Sequence, residues 1–204
     1  AGSHATCAVR TDNHLFCWGD NSTGALGTGD KVERRLPTEI GIVTNIEPDH
    51  LDHYGGFAGL TAAFDQFFAG IPGVRIACAD DPIARRLAAA HPGATTYGFA
   101  EDATYRIVSY EGDRRGSRFA VEQNGRELGS IDLPVPGRHN AANATGATAL
   151  ALELGAPFEA AVDAMRGFGG VARRFQFRGE IDGVTLVDDY AHIPGEISAM
   201  IGAA

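Results

Sequence analysis

Glu47, Asp49, His50, Asp52 and His53 crowd into one short stretch directly after the apolar residues 40–43. Carboxylates and imidazoles together are the ligands and proton carriers of cation and phosphate chemistry. In open α/β sheets the ligand crevice lies beyond the carboxyl ends of the strands, where this stretch falls. A plain alternative stands beside that reading, a solvated loop in which the Asp residues cap helices.

Two later clusters carry compatible chemistry. In Pro136-Gly137-Arg138-His139-Asn140-Ala141-Ala142-Asn143, Gly137 permits a tight turn and the two Asn residues sit three apart on one helix face. An amide offers both a donor and an acceptor, which suits an adenine edge or a ribose and phosphate network. In the third cluster Arg173-Arg174-Phe175 precedes Val187-Asp188-Asp189-Tyr190-Ala191-His192, so a guanidinium for phosphate is followed by carboxylates at a strand end. Singly, each has a structural explanation: Asn140 as an N-cap, Arg174 as a solvated charge, Asp188 as a cap for the next helix.

The elements that must position these groups change character near residue 40. Residues 3–30 are dense in Gly, Asn, Asp, Ser and Thr, with short alternating segments that predict strands and tight turns. Beyond them strands (40–45, 74–79, 95–99) alternate with helices (59–68, 82–90), which argues for βαβ units and a parallel sheet. Residues 105–135 predict a small antiparallel annex with turns at Glu111-Gly112-Asp113 and Asn124-Gly125. Helices over 140–154 and 157–167 follow, then a hairpin around Asp182-Gly183 and a helix opened by Pro194. The fold class is α/β: a partial parallel sheet with flanking helices and an antiparallel annex, preceded by a short β-rich segment.

The net charge is −9, and Lys and Arg form no run longer than two, so the basic footprint of a nucleic-acid binder is missing. No apolar run reaches membrane-spanning length and the N-terminus lacks the regions of a signal peptide, which leads to a cytoplasmic expectation with no membrane partner. Cys7 and Cys17 lie ten apart around a turn-like segment; a disulfide and two buried thiols both remain open.

Thr44-Asn45-Ile46-Glu47-Pro48-Asp49-His50-Leu51-Asp52, Gly137-Arg138-His139-Asn140 with Asn143, and Asp188-Asp189-Tyr190-Ala191-His192 together resemble the Mur ligase family, in the branch that joins L-alanine to UDP-N-acetylmuramate. The resemblance implies ATP and Mg2+ as cofactors, with UDP-N-acetylmuramate and L-alanine as partners. It makes His50 the Mg2+ ligand, with Asn45, Glu47 and Asp49 nearby. Asn140 and Asn143 fall beside the adenine and ribose, Arg174 at the phosphate end and Asp189 on the ribose. His192 falls where the family takes the amino acid, although Ile193 and Gly195 depart from the common pattern. The domains implied are 39–172, the distal part of the central ATPase domain, and 173–204, the start of a C-terminal domain.

No Gly-x-x-x-x-Gly-Lys-[Ser/Thr] loop occurs in the chain, and Lys31 is its only lysine. That loop cradles nucleotide phosphates, so the chain alone is expected to be inactive. A noncatalytic interaction module or fusion product, and another Mur or folylpolyglutamate-type ligase, stand as alternatives. Within the segment 1–38, residues 1–37 instead resemble one repeat of the regulator-of-chromosome-condensation type, carried by Cys17-Trp18-Gly19-Asp20-Asn21 and Gly24-Ala25-Leu26-Gly27-Thr28-Gly29. Such a blade needs neighbours to bury its faces. Either it is an unrelated segment joined near Ile40, or it replaces a strand of the sheet.

Overall fold

The computed structural model describes the backbone of residues 5–9 and 15–19 and the whole of residues 40–203. The chain divides into two compact units, Ala1–Glu39 and Ile40–Ala204. In the first, β1 (Ala5–Val9) and β2 (Leu15–Gly19) form an antiparallel hairpin in which residues 7 and 17 are Cα partners. The rest of the blade-like motif, and the side chains of Cys7 and Cys17, lie outside the described residues.

The second unit is built on one six-stranded sheet in sequential order. β3 (Gly41–Val43), β4 (Arg75–Cys78), β5 (Thr95–Gly98) and β6 (Tyr105–Asp113) pair in parallel. β7 (Gly116–Gln123) and β8 (Arg126–Leu133) then continue it antiparallel. The expected antiparallel annex is present and continues the parallel sheet, because Tyr97 and Gly98 pair with Tyr105 and Arg106. Its first turn lies two residues later than the sequence suggested, at Arg114-Arg115. Gly112 stays in the ladder opposite Ser117, and the Asp113 carboxylate accepts the Arg115 and Gly116 amides, which closes the turn there.

Helices cover both faces of the parallel part, as buried strands require. Along β4, Ile76 and Cys78 point into one core and Ala77 into the other, the period of two that a strand imposes. The first core packs beneath α4 (Arg138–Glu153) and α5 (Phe158–Arg166), around Tyr97, Tyr105 and Phe119. The second packs beneath α2 (Phe57–Ala69) and α3 (Pro82–Ala90), around Phe68, Ile71 and Leu87. Short α1 (Leu51–Tyr54), which the sequence pattern does not announce, precedes α2. Beyond α5 come the hairpin of β9 (Gln176–Ile181) and β10 (Val184–Asp188) and the helix α6 (Pro194–Ala203). Asp182 and Gly183 both take positive φ at the hairpin turn, as a two-residue loop of primed type demands.

α4 is the element that places the site. It is rich in Ala, the best helix former, and it buries Ala141, Ala144, Thr145, Gly146, Thr148 and Ala149. Gly146 is the point of closest approach: a β-carbon there would stand 2.7 Å from the Tyr97 ring and 2.8 Å from Ile42. Gly155, at φ 85°, ends the helix in the left-handed conformation that closes such termini. Because Tyr97 is fully buried and has no room to yield, Gly146→Ala is expected to cost about 1–3 kcal/mol of stability. Urea unfolding monitored by circular dichroism measures it, and an unchanged midpoint would show that α4 does not rest on the sheet as described.

Candidate functional site

The carboxyl ends of β3, β4 and β5 share one edge of the sheet because the strands are parallel. At that edge the first turns of α4 and residues 174–200 complete a cavity of about 1010 Å³. Thr44, Asn45 and Glu47 follow β3 into it, Asp80 and Asp81 follow β4, and Phe99 follows β5. Arg138, His139, Asn140 and Asn143 enter from α4, and Arg174, Asp189 and Glu196 from the C-terminal segment.

The β3 end is a chain of polar contacts. Thr44 Oγ1 donates to Asn45 Oδ1 at 3.1 Å, and Asn45 Nδ2 donates to Glu47 Oε1 at 2.9 Å. The Glu47 carboxylate sits against Gly195 at the start of α6, where an added β-carbon would oblige it to shift. A carboxylate at a helix N-terminus is favoured by the helix dipole, and Glu47 therefore ties the β3 loop to the C-terminal segment.

Two neighbouring carboxylates brace the edge. Asp80 accepts from the Phe99 and Ala100 amides at 2.8–2.9 Å, and Asp81 caps α3 by accepting from Ile83 and Ala84 at 3.0 and 2.7 Å. Neither was singled out from the sequence. The signal was present, because Cys78-Ala79-Asp80-Asp81 ends a parallel strand and the strand-end rule applies to it as it does to residues 44–53.

Asn140, Asn143, Arg174 and Asp189, all expected from the sequence, line the cavity together. Their side chains are differently engaged. Asn140 Nδ2 donates to the Pro136 carbonyl at 2.7 Å and so braces the turn into α4. Asn143 is exposed and forms no hydrogen bond among the described residues. Arg174 donates to Glu196 Oε1 at 3.2 Å. Asp189 accepts from the Phe175 and Ala191 amides, both at 2.7 Å, and Tyr190 donates its amide to the Arg173 carbonyl at 2.8 Å. These bonds hold Arg173 and Phe175 at positive φ, a conformation that costs a non-glycine residue about 1 kcal/mol or more.

His50 and His192 are not among the lining residues. They meet across Asp49, whose Oδ2 lies 3.4 Å from His50 Nε2 and 3.9 Å from His192 Nε2. His50 itself takes a left-handed φ of 51° and donates its amide to Asp49 Oδ1 at 2.8 Å. His192 Nδ1 approaches the Tyr190 carbonyl at 3.0 Å and Glu196 Oε2 at 3.3 Å. Among the described residues no group of three or more His, Cys, Asp or Glu is arranged to hold a metal ion by itself. Mg2+ makes little use of such a cage; it keeps waters and binds through one or two carboxylates and the phosphates of its nucleotide. Glu47, on the cavity wall, and Asp49, with His50 against it, are carboxylates of that kind.

His139, in the same motif as Asn140, is drawn into the site by the fold. Its ring is part-buried between the strand ends and the C-terminal segment, and Gly137 at φ 99° leaves the space it fills. Burial lowers its pKa from the usual 6.5, against the pull of the Asp189 carboxylate and with the help of the Arg174 charge. Glu196 is also lowered, first by the His192 amide and then, against the upward pull of burial, by Arg174. As pH falls below 6.5 the unfolded chain takes up the His139 proton before the folded one does, so stability is lost in that window. His139→Gln is expected to lose less stability than the wild type between pH 7 and pH 5, measured by urea unfolding at each pH; equal losses would show that His139 is not buried neutral.

The Mur ligase middle domain family matches residues 4–151, a range that includes most of the blade-like segment. The UDP-N-acetylmuramate--L-alanine ligase of Acidothermus cellulolyticus is 46% identical over 175 residues, covering 83% of this chain and 37% of that protein. The ligase of the same name from Bradyrhizobium diazoefficiens is 43% identical over 180 residues, covering 83% and 38%. The crystal structure of the UDP-N-acetylmuramate-alanine ligase of Thermotoga maritima superimposes with a TM-score of 0.70 at 29% identity, over 82% of this chain and 38% of that one. MurF of Acinetobacter baumannii gives 0.68 at 27% identity, over 80% and 36%. The chain thus spans less than two fifths of the length of these relatives. With the strand-end cavity and the motif residues gathered around it, these likenesses show that the chain belongs to the Mur ligase family and carries part of its middle domain.

Proposed function

We propose that residues 40–203 form the base- and ribose-holding half of the ATP site of a cytoplasmic ligase that joins L-alanine to UDP-N-acetylmuramate for peptidoglycan synthesis. One observation carries this reading: Asn45 and Glu47, Asn143, and Arg174 and Asp189, from three distant parts of the chain, line a single cavity. Its volume of about 1010 Å³ is at the upper end of what small-molecule and cofactor sites occupy.

The roles follow from which groups are spent and which are free. Asn143, with no partner among the described residues, offers its donor and acceptor to an adenine edge, whereas Asn140 acts through the turn it braces. Asp189 gives one lone pair of each oxygen to the backbone and retains others for a ribose hydroxyl. Arg174, held by Glu196, places positive charge toward the phosphates. Asn45 and Glu47, with Asp49 and His50 beside the cavity, would be the residues to hold Mg2+. When bound, ATP and Mg2+ would supply the phosphoryl group that converts a carboxylate into an acyl phosphate open to attack by an amine, and such transfers depend on electrostatic stabilisation. His192, against Asp49 and Glu196, is the residue here for the incoming amino group. The absence of a phosphate loop from the sequence restricts the proposal to a nucleotide-holding half-site.

Calorimetric titration with Mg-ATP tests it. The wild-type chain is expected to bind, Asn143→Ala to weaken binding about tenfold for the loss of one base contact, and His50→Ala to weaken Mg-ATP more than metal-free ATP. No heat of binding at millimolar Mg-ATP would overturn the proposal and leave a noncatalytic scaffold.

A further inference from the structure

Arg138 is a cation without a carboxylate. Its guanidinium carbon lies 3.7 Å from the centre of the Phe99 ring and 5.3 Å from that of Tyr110. Among the described residues it makes no hydrogen bond and no ion pair, although it lines a cavity that also receives Glu47, Asp80, Asp81 and Asp189. The rings beneath it are fixed in turn. Asp80 holds the Phe99 amide, Phe99 meets Tyr110 edge to face at 5.7 Å, and the Tyr110 hydroxyl lies 3.3 Å from Ser117 Oγ. A flexible side chain exposed to solvent has here been given a floor of two aromatic rings and left open above.

A guanidinium is planar and weakly hydrated, and it stacks on flat π systems as readily on its second face as on its first. The position within the cavity decides between a flat ligand and an anion. Thr44 and Glu47 leave β3 while Phe99 leaves β5, and β4 lies between them. Two strand spacings, about 10 Å, therefore separate the Phe99 and Arg138 wall from the β3 wall. If the β3 wall faces the phosphates, Arg138 stands toward the opposite, nucleobase end.

We propose that Arg138, seated on Phe99 and Tyr110, is the shelf on which the purine base of the bound nucleotide stacks, while Asn143 reads the edge of the base. This rests on the cavity being a nucleotide site. The charge favours an electron-rich purine, and the plane holds the base parallel to the Phe99 ring. Arg138 is in this sense a positioning residue for the nucleotide rather than a phosphate ligand.

Ligand-observed NMR titrations with adenosine and with ADP, on the wild-type chain, Arg138→Lys and Phe99→Leu, test the assignment. Lys keeps the charge and loses the plane; Leu keeps the guanidinium and removes its floor. Both variants are expected to weaken adenosine and ADP by the same factor, about tenfold, with unchanged circular dichroism. Unchanged affinities in both variants overturn the shelf. A loss of ADP binding with adenosine unaffected also overturns it, and assigns Arg138 to phosphate. Binding of ADP but not adenosine by the wild type places the affinity in the phosphates and refutes the shelf alone, whereas binding of neither refutes the nucleotide site as well.

Discussion

The approach of α4 to the sheet is the constraint on which the rest of the structure depends. Gly146 lets the helix backbone settle onto Tyr97 and Ile42 with no side chain between, and the small buried residues on either side keep that approach along the helix. Close packing of this kind leaves little freedom for the helix to slide or tilt. The first turn of α4 is therefore delivered to the carboxyl edge of the parallel strands, where Arg138, His139 and Asn143 face the cavity. A helix held one side chain further out would present the same residues to bulk water.

Around that edge, acidic side chains act largely as scaffold. Asp80 ties the end of β4 to the loop after β5, Asp81 starts α3, Glu47 meets α6, and Asp189 joins the strained loop at Phe175 to the loop at Ala191. A hydrogen bond to a charged group contributes about 1.5–3 kcal/mol, enough to hold non-glycine residues such as Arg173 and Phe175 at positive φ. What remains unengaged is a small and specific set: the Asn143 amide, the upper face of Arg138 and the spare lone pairs of the carboxylates. The division between spent and free groups is what gives the cavity its chemical character.

Much of this was legible in the sequence, for identifiable reasons. The βαβ alternation, the Pro82 to Ala90 helix, and the Asn124-Gly125 and Asp182-Gly183 turns each rest on local rules, and the structure contains them. Four of the six named site residues share the cavity, since motifs read on strand ends and a helix start converge on one edge. The joining of β5 to β6 was not legible, because a hairpin pattern does not say which neighbour its first strand will take. Nor was the Arg138 stack, which depends on Phe99 and Tyr110 meeting a residue far along the chain. Asn140 shows the opposite case: its residue type predicts an N-cap, but Gly137 takes that position without a side-chain cap, and Asn140, inside the first turn, instead donates to the Pro136 carbonyl.

The central claim is that the β3 loop, the start of α4 and the C-terminal segment form one nucleotide site. Hydrogen–deuterium exchange with and without Mg-ATP addresses it most directly, because the Phe175 and Ala191 amides report on the Asp189 clamp in the same experiment as the other two segments. The account predicts slowed exchange in residues 44–50, 138–144 and 173–192 together, with no change at the β6–β7 turn around residues 113–116. Protection confined to one of the three segments, or found at the turn instead, would contradict it.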